Sequence, residues 1–322
     1  MTDKGIMDKF QGITALSGGV GGAKLVEGFA LMEPPAELAI IGNVGDDVEQ
    51  HGLWVSPDMD IVTYTLAGIV NKSEGWGIAG DTFHSLNMLS RLEEETWMNL
   101  GDRDIAVHVY RTRRRKEGAR PTIIAQHIRE RLGVKYPILP PTDDFLQTMV
   151  ETDAGSMNFQ EYYLKRLCEP EPLNIWFKGA ESAQATPEAA QALLSSSIIA
   201  IAPSNPVASI GPILAVNGVR SAMIKSRAFR VAVSPIVGGH SLKGPSARML
   251  RSQGYTADPI GIAHYYEGLI DAMVIDEADR KYTEALENMG LKVRVTRTVM
   301  RNSEDRIHLA REIVEMGRSN AL

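Results

Sequence analysis

Cysteine is nearly missing from this chain: Cys168 stands alone among 322 residues, so no intrachain disulfide can form and a reducing compartment suits it. Long apolar runs are missing too. No stretch of about eighteen apolar residues occurs, which argues against a membrane span. The opening MTDKGIMDKF has no apolar core of the kind a signal segment needs. Nor is there an excess of positive charge. Lys and Arg total 34 against 40 Asp and Glu, giving a net charge of −6 and a pI near 5.7. That balance excludes a broad nucleic-acid surface but not a local anion site, which needs only a few backbone amides and one or two cations. The expectation is a soluble, cytoplasmic protein that binds neither nucleic acid nor membrane.

What is present reads as an ordinary globular chain, 44% hydrophobic and 23% charged, without internal repeats or low-complexity linkers. Ile13–Ser17 is a short apolar run that stops at Gly18-Gly19-Val20-Gly21-Gly22 and passes into AKLVEGFALM, whose apolar residues fall at helical spacing. ELAIIGNV follows as a second strand, which completes the opening of a parallel βαβ unit. SSIIAIAPS, FRVAVSPI and DAMVIDE read as further buried strands, with GPSARMLRSQG, ADRKYTEALENMG and SEDRIHLAREIVEMG as helices between and after them. The expected fold is α/β: one domain over 11–322 built on a doubly wound, mostly parallel, Rossmann-like sheet. A less regular, partly helical elaboration over about 66–185 is expected to enclose a substrate. It includes helices at DTFHSLNMLSRLEEE and PTIIAQHIRERLG.

Several segments carry candidate chemistry. The glycine turn lets the backbone approach an oxygen-rich ligand at a helix N-terminus, making Gly18, Gly19, Gly21 and Gly22 candidate contacts. Its spacing is neither G-x-G-x-x-G nor a P-loop, and a tight structural turn would use the same residues. The second strand runs into Gly42-Asn43-Val44-Gly45-Asp46-Asp47, and Asp58 and Asp60 follow in Ser56-Pro57-Asp58-Met59-Asp60. Carboxylates crowded at one sheet edge repel one another unless a cation neutralises them, and Mg²⁺ suits such oxygens. Ser56 or Asp58 could equally cap the next helix. Arg103, between two carboxylates in Gly101-Asp102-Arg103-Asp104, is either a substrate contact or an ion pair. His108 and Arg111 share a face if that segment is helical. The basic run from Arg111 to Lys116 reads as a solvated helix end or loop, with a phosphate site as the alternative. Ala202-Pro203-Ser204-Asn205-Pro206, with Ser209 shortly after, and Ser234-Pro235-Ile236-Val237-Gly238 end two strands in rigid polar loops, where open α/β sheets bind ligands. Phe159, Tyr162 and Tyr163 form an aromatic cluster that suits either the core or a flat ring.

SGGVGGAKL, GNVGDD, SPDMDIVTYTLAG, WGIAGDTF, LGDRDIAVH, FQEYY, APSNPVASIGPIL and VAVSPIVGG, in that order, resemble the 2-phospho-L-lactate transferase family of coenzyme F-420 biosynthesis from about Ile13 to Met300. The resemblance implies a phosphotransferase with Mg²⁺ and a homodimer. The implied acceptor is the deazaflavin Fo. The implied donor is a guanosine diphosphate bearing phospholactate, or its phosphoenolpyruvate or phosphoglycerate counterpart, and GMP is released. Carried onto this chain, the metal falls to Asp46, Asp47 and Asp60, with Asp60 and Asp47 as catalytic candidates. The guanosine falls to Ser204, Asn205, Pro206 and the Ser234 loop. Asn158 and Ile61 depart from the family pattern, where a histidine and a threonine are expected, and leave the three-carbon acid open. The alternative is a nucleotide-sugar-binding regulator of the same fold. A nicotinamide dehydrogenase fits less well, because the glycine spacing is wrong for it.

Overall fold

The computed structural model describes residues 12–241 and 244–320. The opening segment lacking a signal-like core, and residue 11 of the expected domain, lie outside the described residues. The centre is a sheet of seven strands, all parallel. We number them β1 (Ile13–Ser17), β2 (Leu38–Gly42), β3 (Ile138–Leu139), β4 (Ile198–Ile201), β5 (Phe229–Val233), β6 (Ala272–Asp276) and β7 (Lys292–Thr296). Their spatial order is β7-β6-β5-β4-β1-β2-β3. The chain therefore builds outward from β1 to β3 on one side, then returns past β1 and builds β4 to β7 on the other. The order reverses between β1 and β4, and a doubly wound sheet opens a ligand crevice outside the carboxyl ends of the strands at that point.

Strand alternation shows that helices cover both faces. Thr14 in β1 donates its hydroxyl to the Ala192 carbonyl of the helix Pro187–Ser195. The neighbouring position, Ile13, pairs with Ile198 of β4, and a Cβ on Gly317 would touch the Ile198 side chain. Gly317 belongs to the long C-terminal helix, so that helix lies on the opposite face. Four helices bear on the site: α1 (Gly19–Ala30), α2 (Pro57–Leu66), α3 (Asp102–Lys116) and α4 (Ser303–Asn320). α1 packs against both α2 and α4. At Gly28 the approach to α4 is so close that a Cβ would fall 2.3 Å from the Arg306 carbonyl oxygen.

The expected strands and helices of the second half are present, as are the helices His84–Arg91 and Pro121–Arg131 in the elaboration. Three features depart from expectation. β7 was not anticipated, because its KVRVT sequence alternates charge with valine, as suits the outer edge of a sheet rather than its centre. The elaboration contributes β3 to the other edge of the central sheet. It also contains an antiparallel sheet with Gln147–Thr152 between Gly155–Asn158 and Pro172–Lys178, where a partly helical region was expected. No helix among the described residues is long and apolar enough to cross a membrane.

Candidate functional site

The loops after β1, β2, β4, β5 and β7 open into one crevice of about 580 Å³ at the carboxyl edge of the sheet, a size typical of sites for small organic ligands. The glycine turn forms its floor, and glycine is required there by close approach. A Cβ on Gly18 would lie 2.5 Å from Asp58 Oδ2, and one on Gly21 would lie 2.6 Å from the Pro203 carbonyl oxygen. One on Gly22 would meet Ser17 Oγ at 2.4 Å and Ser204 Oγ at 2.6 Å. The turn is thus the junction of α1, α2 and the loop after β4. Gly18, Gly19 and Gly21 line the crevice, while Gly22 sits behind it as a packing position.

The acidic residues separate into distinct roles. Asp46 and Asp58 are buried yet line the crevice. Asn43, fully buried and not anticipated as a site residue, donates to Asp58 Oδ2 at 2.9 Å, and its own carbonyl oxygen accepts from the Gly45 amide. Asp46 Oδ1 has no hydrogen-bond partner. Burial, and secondarily the Asp58 charge, push the Asp46 carboxyl well above the usual range. Burial likewise lifts Asp58 to about 6, against the opposing hydrogen bonds from Asn43 and the Gly19 amide. Asp47 is different. It does not line the crevice, and its Oδ2 accepts from Trp54 Nε1 at 2.8 Å and from the Ser56 hydroxyl at 2.6 Å. That carboxylate fastens the Leu53–Val55 strand to the start of α2, and burial lifts it to about 7. Neither Ser56 nor Asp58 caps α2 through its side chain as expected; Pro57 begins the helix, and both side chains bond elsewhere.

α3 brings in a second group that the sequence placed together only in part. Asp60 from α2 meets Arg111 from α3 in a buried ion pair through Oδ1. Arg111 Nη1 also lies 3.1 Å from His108 Nδ1, and Tyr64 donates its hydroxyl to Asp104 Oδ1 at 2.6 Å. His108 Nε2 stands 3.4 Å from the same Asp104 oxygen but without hydrogen-bond geometry. Burial raises Asp60, with Arg111 and then His108 opposing. Burial also works to raise Asp104, yet contacts with His108 and Tyr64 and the Arg111 charge hold it below the usual range. Asp60, Tyr64, Asp104 and His108 all line the crevice. The signal available in the sequence was i, i+4 and i, i+3 spacing: Asp104, His108 and Arg111 are the buried residues of an otherwise polar helix. Arg111 therefore does not belong to the solvated run in which it was expected, because the Asp60 carboxylate compensates its burial. Arg103, by contrast, is exposed on the outer side of α3, outside the crevice, and its guanidinium reaches the Ala79 carbonyl.

Ser204, Asn205, Ser209 and Ser234 also line the crevice, Ser204 and Ser209 directly beside Gly18. Their polar atoms are partly committed. Asn205 Oδ1 accepts from the Val207 and Ala208 amides, capping a π-helical turn at Pro206–Ile210, which leaves its amide nitrogen facing only the Met249 sulfur. Pro206 is buried in that turn, and Gly238 has φ +59° and donates its N–H to Asp279, so neither lines the crevice. Phe159 and Tyr163 stack at 5.6 Å and 7° between planes and form an aromatic wall with Trp76 and Trp97. Asn158 accepts from the Glu161 amide and thereby starts the turn that carries Tyr163. The crevice thus combines acidic and aromatic lining residues with Lys24 from α1 and Arg301 from the segment after β7.

A magnesium ion fits part of this donor set. Asp46 Oδ1 is a buried, partnerless carboxylate oxygen beside the Asp58 carboxylate, and no guanidinium compensates this pair. Asp60 is paired with Arg111, and Asp47, although its Oδ1 is likewise unpartnered, does not line the crevice and holds Trp54 and Ser56 through Oδ2. The oxygens that suit the ion are therefore those of Asp46 and Asp58. Asp60, Asp104 and His108 also lie close enough together to hold a metal, but the Arg111 cation touches two of the three.

Comparison with known proteins adds an independent line. The family model described as 2-phospho-L-lactate transferase CofD matches residues 13–312. A 2-phospho-L-lactate transferase of Methanopyrus kandleri is 39% identical over 308 residues, covering 94% of this chain and 97% of that one. A phosphoenolpyruvate transferase of Streptomyces griseus is 36% identical over 310 residues, covering 94% and 98%. A solved Bacillus halodurans structure of the UPF0052 family superposes with a TM-score of 0.63 at 14% identity, covering 95% of this chain and 99% of that one. At that identity the likeness establishes the α/β fold alone.

Proposed function

The chain belongs to the 2-phospho-L-lactate transferase family, and from that premise we propose that it transfers a phosphorylated three-carbon acid from a guanosine diphosphate carrier to the deazaflavin Fo, releasing GMP in coenzyme F-420 biosynthesis. The observation that carries the reading is the crevice itself, in which a glycine-floored helix N-terminus, buried acidic groups and an aromatic wall face one another. The amides at the start of α1 suit the diphosphate. The loops at Ser204 and Ser234 suit the nucleoside, and the wall of Phe159, Tyr163, Trp76 and Trp97 suits the flat acceptor.

In this reading the terminal ribityl hydroxyl of Fo attacks the phosphorus that carries the acid. The new P–O bond forms as the phosphoanhydride bond to GMP breaks. Asp60 Oδ2, buried, unpartnered and at the crevice, accepts the proton from the hydroxyl. A bound magnesium ion at Asp46 and Asp58 would offset negative charge on the diphosphate. The names of the relatives include both a phospholactate and a phosphoenolpyruvate enzyme, so the acid is assigned by comparing donors one at a time. Incubation with Fo, Mg²⁺ and each guanylylated phospho-acid in turn should release GMP in proportion to one new deazaflavin phosphodiester, identified by mass. GMP release that does not need Fo would mean hydrolysis. Tight nucleotide-sugar binding with no deazaflavin product would favour the regulatory alternative. The homodimer implied by the family belongs to the same reading and is checked by light scattering.

A further inference from the structure

Among the described residues Arg111 pairs with Asp60 and also reaches the His108 ring with the same planar group. Its Nη2 donates to Asp60 Oδ1, and its Nη1 donates to His108 Nδ1 at 3.1 Å and lies 3.4 Å from the Trp54 carbonyl oxygen. All three side chains are buried, at 5% exposure for Asp60, 1% for His108 and 7% for Arg111. A guanidinium has no acceptor, so in this contact His108 Nδ1 must accept, and the ring proton must sit on Nε2. Within this group Asp60 Oδ2 and His108 Nε2 make no hydrogen bond, Nε2 standing 3.4 Å from Asp104 Oδ1, and both residues line the crevice.

We infer that Arg111 is a positioning residue for the transfer. It clamps the far oxygen of Asp60 and Nδ1 of His108, and so presents Asp60 Oδ2 as a fixed acceptor for the incoming hydroxyl while turning the His108 Nε2–H toward Asp104 Oδ1, 3.4 Å away. The inference rests on the proposed reaction for its catalytic part, but the tautomer it requires does not. A fork of two donors in one plane does what an ammonium cannot, since a lysine at the same place keeps the charge but cannot hold both partners in one geometry. Arg111 stays protonated throughout, and no proton passes through it.

The test pairs kinetics with a spectroscopic readout. Nitrogen-15 spectra of the His108 ring in the unliganded full chain should show Nδ1 unprotonated and Nε2 protonated. A protonated Nδ1 would overturn the contact whatever the enzyme does. Arg111→Lys, which preserves the buried charge, should remain folded by circular dichroism, lose the fixed tautomer, and show kcat lowered roughly a hundredfold with KM for the donor little changed. Arg111→Ala should regain part of its kcat when guanidinium is added at concentrations too low to unfold it. A folded Arg111→Lys protein with wild-type kcat overturns the inference while leaving the transfer reaction standing. Absence of product from the wild type would instead remove the reaction and leave the tautomer to be judged by the spectra.

Discussion

Ser204 Oγ donates to the Gly18 carbonyl at 2.7 Å and accepts from the Gly18 amide at 3.1 Å, joining residues 186 positions apart. This reciprocal pair links the ends of β1 and β4 across the point where the strand order reverses. The serine was expected to contact ligand, and it does line the crevice, but its hydroxyl is used to hold the crevice together. Ser204→Ala strands a buried amide and a buried carbonyl at once. It should cost about 1–3 kcal/mol in urea unfolding, with an unchanged m-value, and weaken GDP binding as the glycine turn loosens. Unchanged stability would mean that water replaces the hydroxyl.

Gly22 gives a sharper test of the turn as a junction. Its missing Cβ leaves room for both Ser17 Oγ and Ser204 Oγ, each of which would lie under 3 Å from an added methyl. Gly22→Ala should destabilise by about 1–3 kcal/mol by overpacking, although alanine is the better helix former. A variant as stable as the parent in a thermal melt would show that α1 can slide away from β4.

Asp46→Asn should move activity and stability in opposite directions. In the metal-free protein Asp46 is a buried carboxylate raised by desolvation and by Asp58, so removing its charge relieves a cost. Unfolding in the presence of EDTA should occur at the same or a higher temperature than in the parent. Turnover should fall by at least tenfold, and titration calorimetry should show weaker Mg²⁺ binding. Full activity with undiminished Mg²⁺ affinity would remove Asp46 from the metal site and return attention to Asp60.

The glycine turn, the strand-end acids and the Ser-Pro loops were legible because each is a local pattern: apolar run, then small or acidic residues, at the carboxyl end of a strand. Their convergence was legible too, since a parallel sheet puts all such ends on one edge. Roles within the cluster were not. Asp46 and Asp47 are neighbours in sequence, yet one faces the crevice and the other holds Trp54 and Ser56, and only the path of the chain after β2 decides which. Asn205 looked free to meet a guanine edge until the turn at Pro206–Ile210 took its carbonyl. The Asp60–Arg111 pair lies 51 residues apart and depends on how α3 docks on α2, which no periodicity encodes. The antiparallel sheet at 147–178 is not legible in the sequence because Gln147, Glu151, Asn158, Pro172 and Asn174 interrupt its apolar pattern.

The docking of α3 is itself open to test by pH. Asp81 precedes the helix His84–Arg91 but caps α3, accepting from the Arg103 amide at 2.9 Å and the Asp104 amide at 3.2 Å. Asp102, in the first turn of α3, returns the contact by accepting from the Thr82 hydroxyl at 2.6 Å and from the His84 and Ser85 amides at the start of the other helix. Each helix is therefore capped by a carboxylate next to the other, and α3 carries Asp104, His108 and Arg111 into the crevice in that orientation. The Thr82 hydrogen bond, followed by that from Ser85, holds the Asp102 carboxyl far below its ordinary 3.8. A carboxylate depressed in the folded state binds its proton first in the unfolded chain as pH falls. Its contribution is therefore complete above the unfolded value and is lost progressively below it. Asp102→Asn removes that linkage. Thermal melts should show the parent ahead of the variant at about pH 7, with the gap closing below about pH 4. Because Asp102 lies at the surface, only partly covered, the effect should be read as a change in the gap rather than as a large absolute loss. A gap that stays constant down to about pH 2 would mean that the loss comes from hydrogen-bond geometry and that charge has no part in holding α3 against the site, and no gap even at about pH 7 would mean that asparagine caps the His84 helix as well as aspartate does.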